Sequence, residues 1–212
     1  MDLSRLFEES FFRLEKENIP FALCGGYAAN LYRSEPRVTG DIDYLISAGD
    51  RELELARTII QEFGLEPRAL RLGELTRAPM MSKRSTPYVV VIGRDPKDDE
   101  APGLDILLST NKWAPAALER AQHHQISVDF GEVPAITRED VLIAKAFAVQ
   151  NSSRPKDLDD LESIFSSALK LDLEYLCGQL DTHKLFLPRE IEKLAPTAAR
   201  VASKRNRNLP KL

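Results

Sequence analysis

The chain has 212 residues, a formal net charge of −4, 43 % hydrophobic and 29 % charged residues. That balance belongs to a folded globular protein, and the acid total excludes a uniformly basic nucleic-acid coat, although not a local basic groove. No run approaches the roughly 18 apolar residues of a membrane span, and MDLSRLFEES lacks the apolar core of a secretory signal. Cys24 and Cys177 are too few for a disulfide framework, so a cytoplasmic protein with free thiols is expected.

Leu3, Leu6, Phe7, Phe11 and Leu14 recur at helical spacing, predicting an amphipathic helix over Asp2–Glu17. Phe21-Ala22-Leu23-Cys24 is an apolar strand stopped by Gly25-Gly26, and Tyr27–Arg33 reads as a short helix that Pro36 ends. Asp41-Ile42-Asp43-Tyr44-Leu45-Ile46 is a second strand. Asp50 is expected to cap a helix over Arg51–Phe63, with Gly64 at its C-terminal end. Residues 65–87 fit neither period; they carry Arg68, Arg71, Arg77, Lys83 and Arg84. Tyr88–Ile92 is a β-branched strand, and Gly103–Leu108 a strand with one carboxylate, Asp105. QISVDF and EVPAI suggest a hairpin around Gly131. From Thr137 onward the pattern is helical: Thr137–Asp140 approximates a capping box, and Pro155 suits the first turn of the helix after a break at 151–155. Further helix is expected around Leu173–Leu180 and Arg189–Leu194.

The chemistry sits in Phe21–Ile46. Residues two apart on a strand share a face, so Asp41 and Asp43 project together with Cα atoms about 6.6 Å apart. Adjacent carboxylates repel, so such a pair usually serves a cation, and their oxygens suit Mg²⁺ or Mn²⁺. The Gly25-Gly26 turn opens a helix whose N–H groups and dipole favour a phosphate. A strand beside Asp41–Ile46 would add Asp105 as a third carboxylate; Asp129 is the rival, at a hairpin edge. His123-His124 lacks metal-ligand spacing.

Gly25-Gly26 followed by Asp41-x-Asp43 resembles the nucleotidyltransferase fold of polymerase-beta type. GGYAANLYRSEPRVTGDIDYLI is similar to the bacterial AbiEii-like nucleotidyltransferase toxins, whose Arg-x-Thr-x-Asp-x-Asp stretch is matched by Arg37, Thr39, Asp41 and Asp43. In the same families a helical lysine precedes an Arg-x-Lys-Asp-x-x-Asp-Leu stretch, matched by Lys145 and Arg154–Leu161. The resemblance runs over 20–165 with a gap at about 65–103. It departs where many relatives have Gly-Ser: here Tyr27 follows Gly26, leaving backbone N–H groups to hold phosphate.

The resemblance implies an α/β (α+β) fold, a mixed sheet flanked by helices. The change from mixed to helical pattern divides the chain into a nucleotidyltransferase core over 1–136 and a C-terminal helical region over 137–203, and the tail over 204–212, basic and without an acid, is expected to be disordered. The resemblance also implies transfer of a nucleotidyl group from an NTP to a hydroxyl. Asp41, Asp43 and Asp105 would bind metal and act catalytically, and Gly25, Gly26, Arg37, Thr39 and Lys145 would hold the nucleotide. Asp157 would orient Lys145 by an ion pair; the plain alternative makes Lys145 a solvated helix residue. An RNA acceptor such as a tRNA and an antitoxin partner are implied, with no membrane. A small-molecule or protein acceptor, a non-catalytic nucleotide sensor and, more remotely, an Asp-x-Asp glycosyltransferase remain as alternatives.

Overall fold

The computed structural model describes residues 1–75, 86–151, 154–167 and 170–208. The chain divides into two compact units, Met1–Ala28 with Arg37–Thr137, and Ala29–Pro36 with Arg138–Leu212. The expected boundary near 136 is close to the main division, but residues 29–36 belong with the helical part.

The first unit is built on a mixed five-stranded sheet. Helix α1 (Leu3–Glu15) is capped by Asp2, whose side chain accepts the Arg5 N–H. It is followed by β1 (Phe21–Leu23), the short α2 (Gly25–Asn30) and β2 (Asp41–Ile46). A 3₁₀ turn, Gly49–Arg51, leads into α3 (Glu52–Glu62), then β3 (Glu66–Arg71), α4 (Leu72–Leu75), β4 (Tyr88–Arg94) and β5 (Gly103–Leu108). Helix α5 (Ala114–Ala121) precedes a separate hairpin, β6 (Gln125–Val128) with β7 (Gly131–Pro134).

The sheet order is β1-β2-β5-β4-β3. Only β2 and β5 run parallel, with Asp43 opposite Asp105; the other neighbours are antiparallel. Burial on β2 explains the alternation. Ile42 and Tyr44 are fully buried, whereas Asp41 and Asp43 are only partly so. The apolar face meets Leu6, Phe7, Phe11 and Leu14 of α1 and Ile59 and Ile60 of α3, each such side chain contributing roughly 1.5–3 kcal/mol by leaving water. The buried Tyr44 hydroxyl is satisfied by Ser10 Oγ and the Phe7 carbonyl, both at 3.3 Å, and burial raises its pKa well beyond the usual tyrosine range.

Several expectations are corrected. Asp50 lies in the 3₁₀ turn and makes no side-chain cap; Glu52 instead accepts the Ala48 N–H at 3.1 Å and the Ser109 N–H at 3.0 Å, fixing the start of α3 from within. The unread stretch begins as an edge strand, β3, while Arg77, Lys83 and Arg84 lie outside the described residues. Asp129 sits in the exposed β6–β7 turn, on the small sheet.

The second unit is helical: α6 (Arg138–Asn151), α7 (Pro155–Ser166), α8 (Leu173–Thr182), α9 (Arg189–Glu192) and α10 (Thr197–Arg207). Pro155 stands in the first turn of α7, where its missing N–H costs nothing. Asp140 accepts from the Tyr175 hydroxyl at 2.5 Å and Glu139 from the Asp172 N–H at 2.9 Å, so the acids opening α6 tie it to α8. The tail expected to be disordered from Lys204 is helix as far as Arg207. Asn206, 6 % exposed, donates to the Leu180 and Leu185 carbonyls at 2.9 Å, and Ser203 donates to Glu192 at 2.7 Å. These buried bonds anchor a segment whose Ala, Lys and Arg residues are themselves good helix formers.

Candidate active site

The first unit concentrates its charges at the end of the sheet where β2 and β5 begin. Parallel pairing of Asp43 with Asp105 puts Asp41, Asp43 and Asp105 on one face. Asp105 is therefore the strand neighbour expected from the sequence. The glycine turn packs against the same stretch. Gly25 has φ +61°, and a Cβ there would lie 2.1 Å from Cγ and Oδ2 of Asp43. A Cβ on Gly26 would lie 2.8 Å from Thr39 Oγ1 and 3.2 Å from Arg37 Nη2. Only glycine lets β2 and its preceding loop come this close, and φ +61° is itself a conformation that favours it. The residues of the glycine motif and of the Arg37-x-Thr39-x-Asp41-x-Asp43 motif thus fit into one another.

That packing has an electrostatic consequence. Gly26 donates its N–H to Asp43 Oδ2 at 3.1 Å, so the amide expected to hold phosphate is engaged by a carboxylate of the site. Thr39 donates from Oγ1 to the Asp41 carbonyl at 3.3 Å, fixing the loop that enters β2.

A cation missed by sequence reading sits among the acids. Arg94 ends β4. Gly93 pairs with Leu104, so Arg94 lies level with Gly103, which is itself paired with Asp41. The Arg94 fork grips Asp105, Nη1 to Oδ1 at 2.5 Å and Nη2 to Oδ2 at 3.1 Å. Its Nη2 lies 3.4 Å from Asp41 Oδ2. Gly103 makes this reach feasible: a Cβ there would stand 2.4 Å from Arg94 Nη1 and 2.5 Å from Asp41 Oδ1. The available signal was parity along β4, which puts Arg94 on the face of the acids.

Burial pushes the Asp105 carboxyl up from its ordinary range and the Asp41 charge adds to this, while Arg94 pulls the other way without cancelling it. For Arg94, burial alone would lower the pKa, but Asp105, Asp41 and Asp43 together raise it. Arg94 is thus shared by Asp41 and Asp105. The hard oxygen donors of the acids suit Mg²⁺ or Mn²⁺, and two of the acids already hold a cation. The third is turned elsewhere: Asp43 faces the glycine turn while Asp41 and Asp105 face Arg94. Accordingly, no group of three or more His, Cys, Asp or Glu side chains among the described residues is gathered around a single metal position.

The second unit holds another charged cluster. Lys145 is 7 % exposed, against the alternative of a solvated lysine. Its Nζ lies 2.8 Å from Asp157 Oδ1, the ion pair expected from the sequence, and 2.7 Å from Asp160 Oδ2. Asp157 and Asp160 are one helical turn apart on α7 and so share a face. Arg33 joins the group at 2.8 Å from Asp160 and 2.9 Å from Asp159, and Arg154 at 3.6 Å from Asp157, so three cations meet three acids. Burial would lower the Lys145 pKa, but Asp157 and Asp160 overcome it and raise it. Sequence reading missed Arg33, because nothing local signals a partner 127 residues away.

No curated protein matches the sequence. Among solved structures, similarity extends to an antigenic nucleotidyltransferase-like protein from Paracoccidioides brasiliensis, 17 % identical with TM-score 0.48, covering 96 % of this chain and 88 % of that one. It extends to ANT(2")-Ia in complex with adenylyl-2"-tobramycin, 18 % identical with TM-score 0.48, covering 96 % and 97 %. It also extends to a putative nucleotidyltransferase from H. pylori, 13 % identical with TM-score 0.41, covering 100 % of both. The family pattern described as the nucleotidyl transferase AbiEii toxin of type IV toxin–antitoxin systems matches residues 9–203, nearly the whole chain, and the protein therefore belongs to that nucleotidyltransferase family.

Proposed function

We propose that the protein is a divalent-metal-dependent nucleotidyltransferase that moves an NMP from an NTP to a hydroxyl acceptor, with release of pyrophosphate. The observation that supports this best is the fit of the Gly25-Gly26 turn into Asp43, Thr39 and Arg37, with Asp41 and Asp105 on the same face of the sheet. One compact region thereby gathers a glycine turn, a basic side chain and three carboxylates.

Asp41, Asp43 and Asp105 would hold Mg²⁺ or Mn²⁺, which when bound neutralises phosphate charge and favours attack by the acceptor hydroxyl. The chain's own residues do the rest. Gly25 and Gly26 let the phosphates approach the backbone, and Arg37 adds charge and hydrogen-bond donors suited to phosphate. Thr39 sets the loop entering β2. Asp105 would also take the proton of the attacking hydroxyl. Lys145 and Asp157 serve the nucleotide by the family resemblance; two of the three Lys145 donors are held by Asp157 and Asp160.

RNA, such as a tRNA, is the proposed acceptor, and an antitoxin the proposed partner, in line with the toxin–antitoxin family. No helix among the described residues is long and apolar enough to cross a membrane. The direct test is incubation with each labelled NTP, Mg²⁺ and total cell RNA. Labelled RNA with one NTP is expected, and RNA binding should weaken steeply with salt through counterion release. Pyrophosphate release without labelled RNA would move the acceptor to a small molecule or a protein; nucleotide binding without pyrophosphate release would leave a sensor.

A further inference from the structure

Arg94 reaches into the carboxylate face of the first unit, bonded to Asp105 and within 3.4 Å of Asp41. Its placement is specifically accommodated. Gly103 lies between Asp41 and Arg94, and any side chain there would overlap both. The Arg94 side chain is 42 % exposed, so it can leave this position without opening the core. The site thus carries a tethered positive charge on two of the three carboxylates that a divalent ion would need.

We propose that Arg94 is a resident counter-cation that competes with the divalent metal, holding Asp41 and Asp105 together when no metal is bound and giving them up when it loads. The inference rests on the metal-dependent reading above. Its physical content is a competition for oxygen lone pairs: a carboxylate that accepts a two-pronged guanidinium has fewer acceptor sites facing a metal. The same charge also repels an incoming cation at short range. With Arg94 removed, Asp41 and Asp105 lose this counter-charge, and the repulsion among the acids that metal binding relieves is greater.

The test measures Mn²⁺ binding without nucleotide, by calorimetry and by the loss of the free-ion paramagnetic resonance signal, on the full chain and on Arg94→Gln. Arg94 gives up two partly exposed ion pairs on loading, so Arg94→Gln should bind Mn²⁺ about tenfold more tightly. In a second readout, Arg94→Gln should melt lower than wild type in chelator, and added Mn²⁺ should raise its melting temperature more than that of wild type. Arg94→Lys keeps the charge but loses the fork, and should bind between the two. Wild-type binding that Arg94→Gln leaves unchanged or weakens overturns the competition while sparing the metal assignment. Binding to neither chain overturns both.

Discussion

The two units each gather acidic and basic side chains, and the two clusters are built in opposite ways. On the sheet, Asp41 and Asp105 share one guanidinium and Asp43 meets the glycine turn, with side chains of Asp41 and Arg94 30 % and 42 % exposed. In the helical unit, Lys145, Asp157 and Asp160 are nearly sealed, and Lys145 and Arg33 are both satisfied by carboxylates at 2.7–2.9 Å. A cluster open to water can accept a cation or a ligand. A dry cluster of mutually paired charges has much stability to lose if a member is removed, whatever its remaining donors give a nucleotide. Neutralising a charge should therefore harm activity in the first unit and stability in the second.

The largest expected effect is on transfer. Asp41→Asn and Asp43→Asn should each lower the rate by about 10² to 10³ or more, the scale of losing one preorganised electrostatic group. Both should fold, because relieving carboxylate repulsion removes a cost. Rates and melting curves of the same preparations check this; a variant active at ordinary Mg²⁺ would remove that residue from the metal set.

In the second unit the sign reverses. Lys145→Ala leaves Asp157 and Asp160 buried around a lost partner, and breaking a buried pair costs about 3–5 kcal/mol. The melting temperature should fall by at least about 6 °C. Lys145→Met, which fills the space without the charge, isolates the electrostatic part from the cavity. An unchanged melting curve for Lys145→Ala would mean that the cluster is not structural. Smaller again is Gly25→Ala, which puts a side chain at φ +61° and into Asp43. About 1–3 kcal/mol of strain is expected, together with reduced transfer because Asp43 must move.

What could be read beforehand follows the same division. The first site lies in local sequence, where strand parity pairs Asp41 with Asp43 and a glycine pair marks the turn. Asp105 could be named because it is the lone carboxylate in an apolar strand. Arg94 was illegible because its role depends on which strand lies beside β5, which no local period encodes. The Lys145–Asp157 pair could be named, but the burial around it could not, for a related reason. The helix carrying it buries Glu139, Asp140 and Lys145 along with its apolar residues, so the amphipathic rule that assigns charge to solvent breaks down. The tail was misjudged from composition: its basic residues say nothing of Asn206, which anchors α10 by two carbonyls.

The smallest effect is the pH dependence, where the clusters should again part. Asp105 has a folded-state pKa above its ordinary value of 3.8. The folded state therefore holds that proton more tightly than the unfolded chain. The resulting stability is fully present below the ordinary aspartate range and is lost as pH rises through the raised pKa. Lys145 is also raised, from 10.5, so its contribution is complete throughout the acid and neutral range and fades only above pH 10.5. Denaturant unfolding in chelator at pH 4 and pH 7 separates them. Wild type should lose stability relative to Asp105→Asn between these pH values, because the ionised acid carries a burial cost that the amide does not. Lys145→Met should differ from wild type by nearly the same amount at both, since Lys145 does not titrate there. A gap between wild type and Asp105→Asn that is constant or reversed would mean that Arg94 fully compensates the Asp105 charge. The first cluster would then be as balanced as the second.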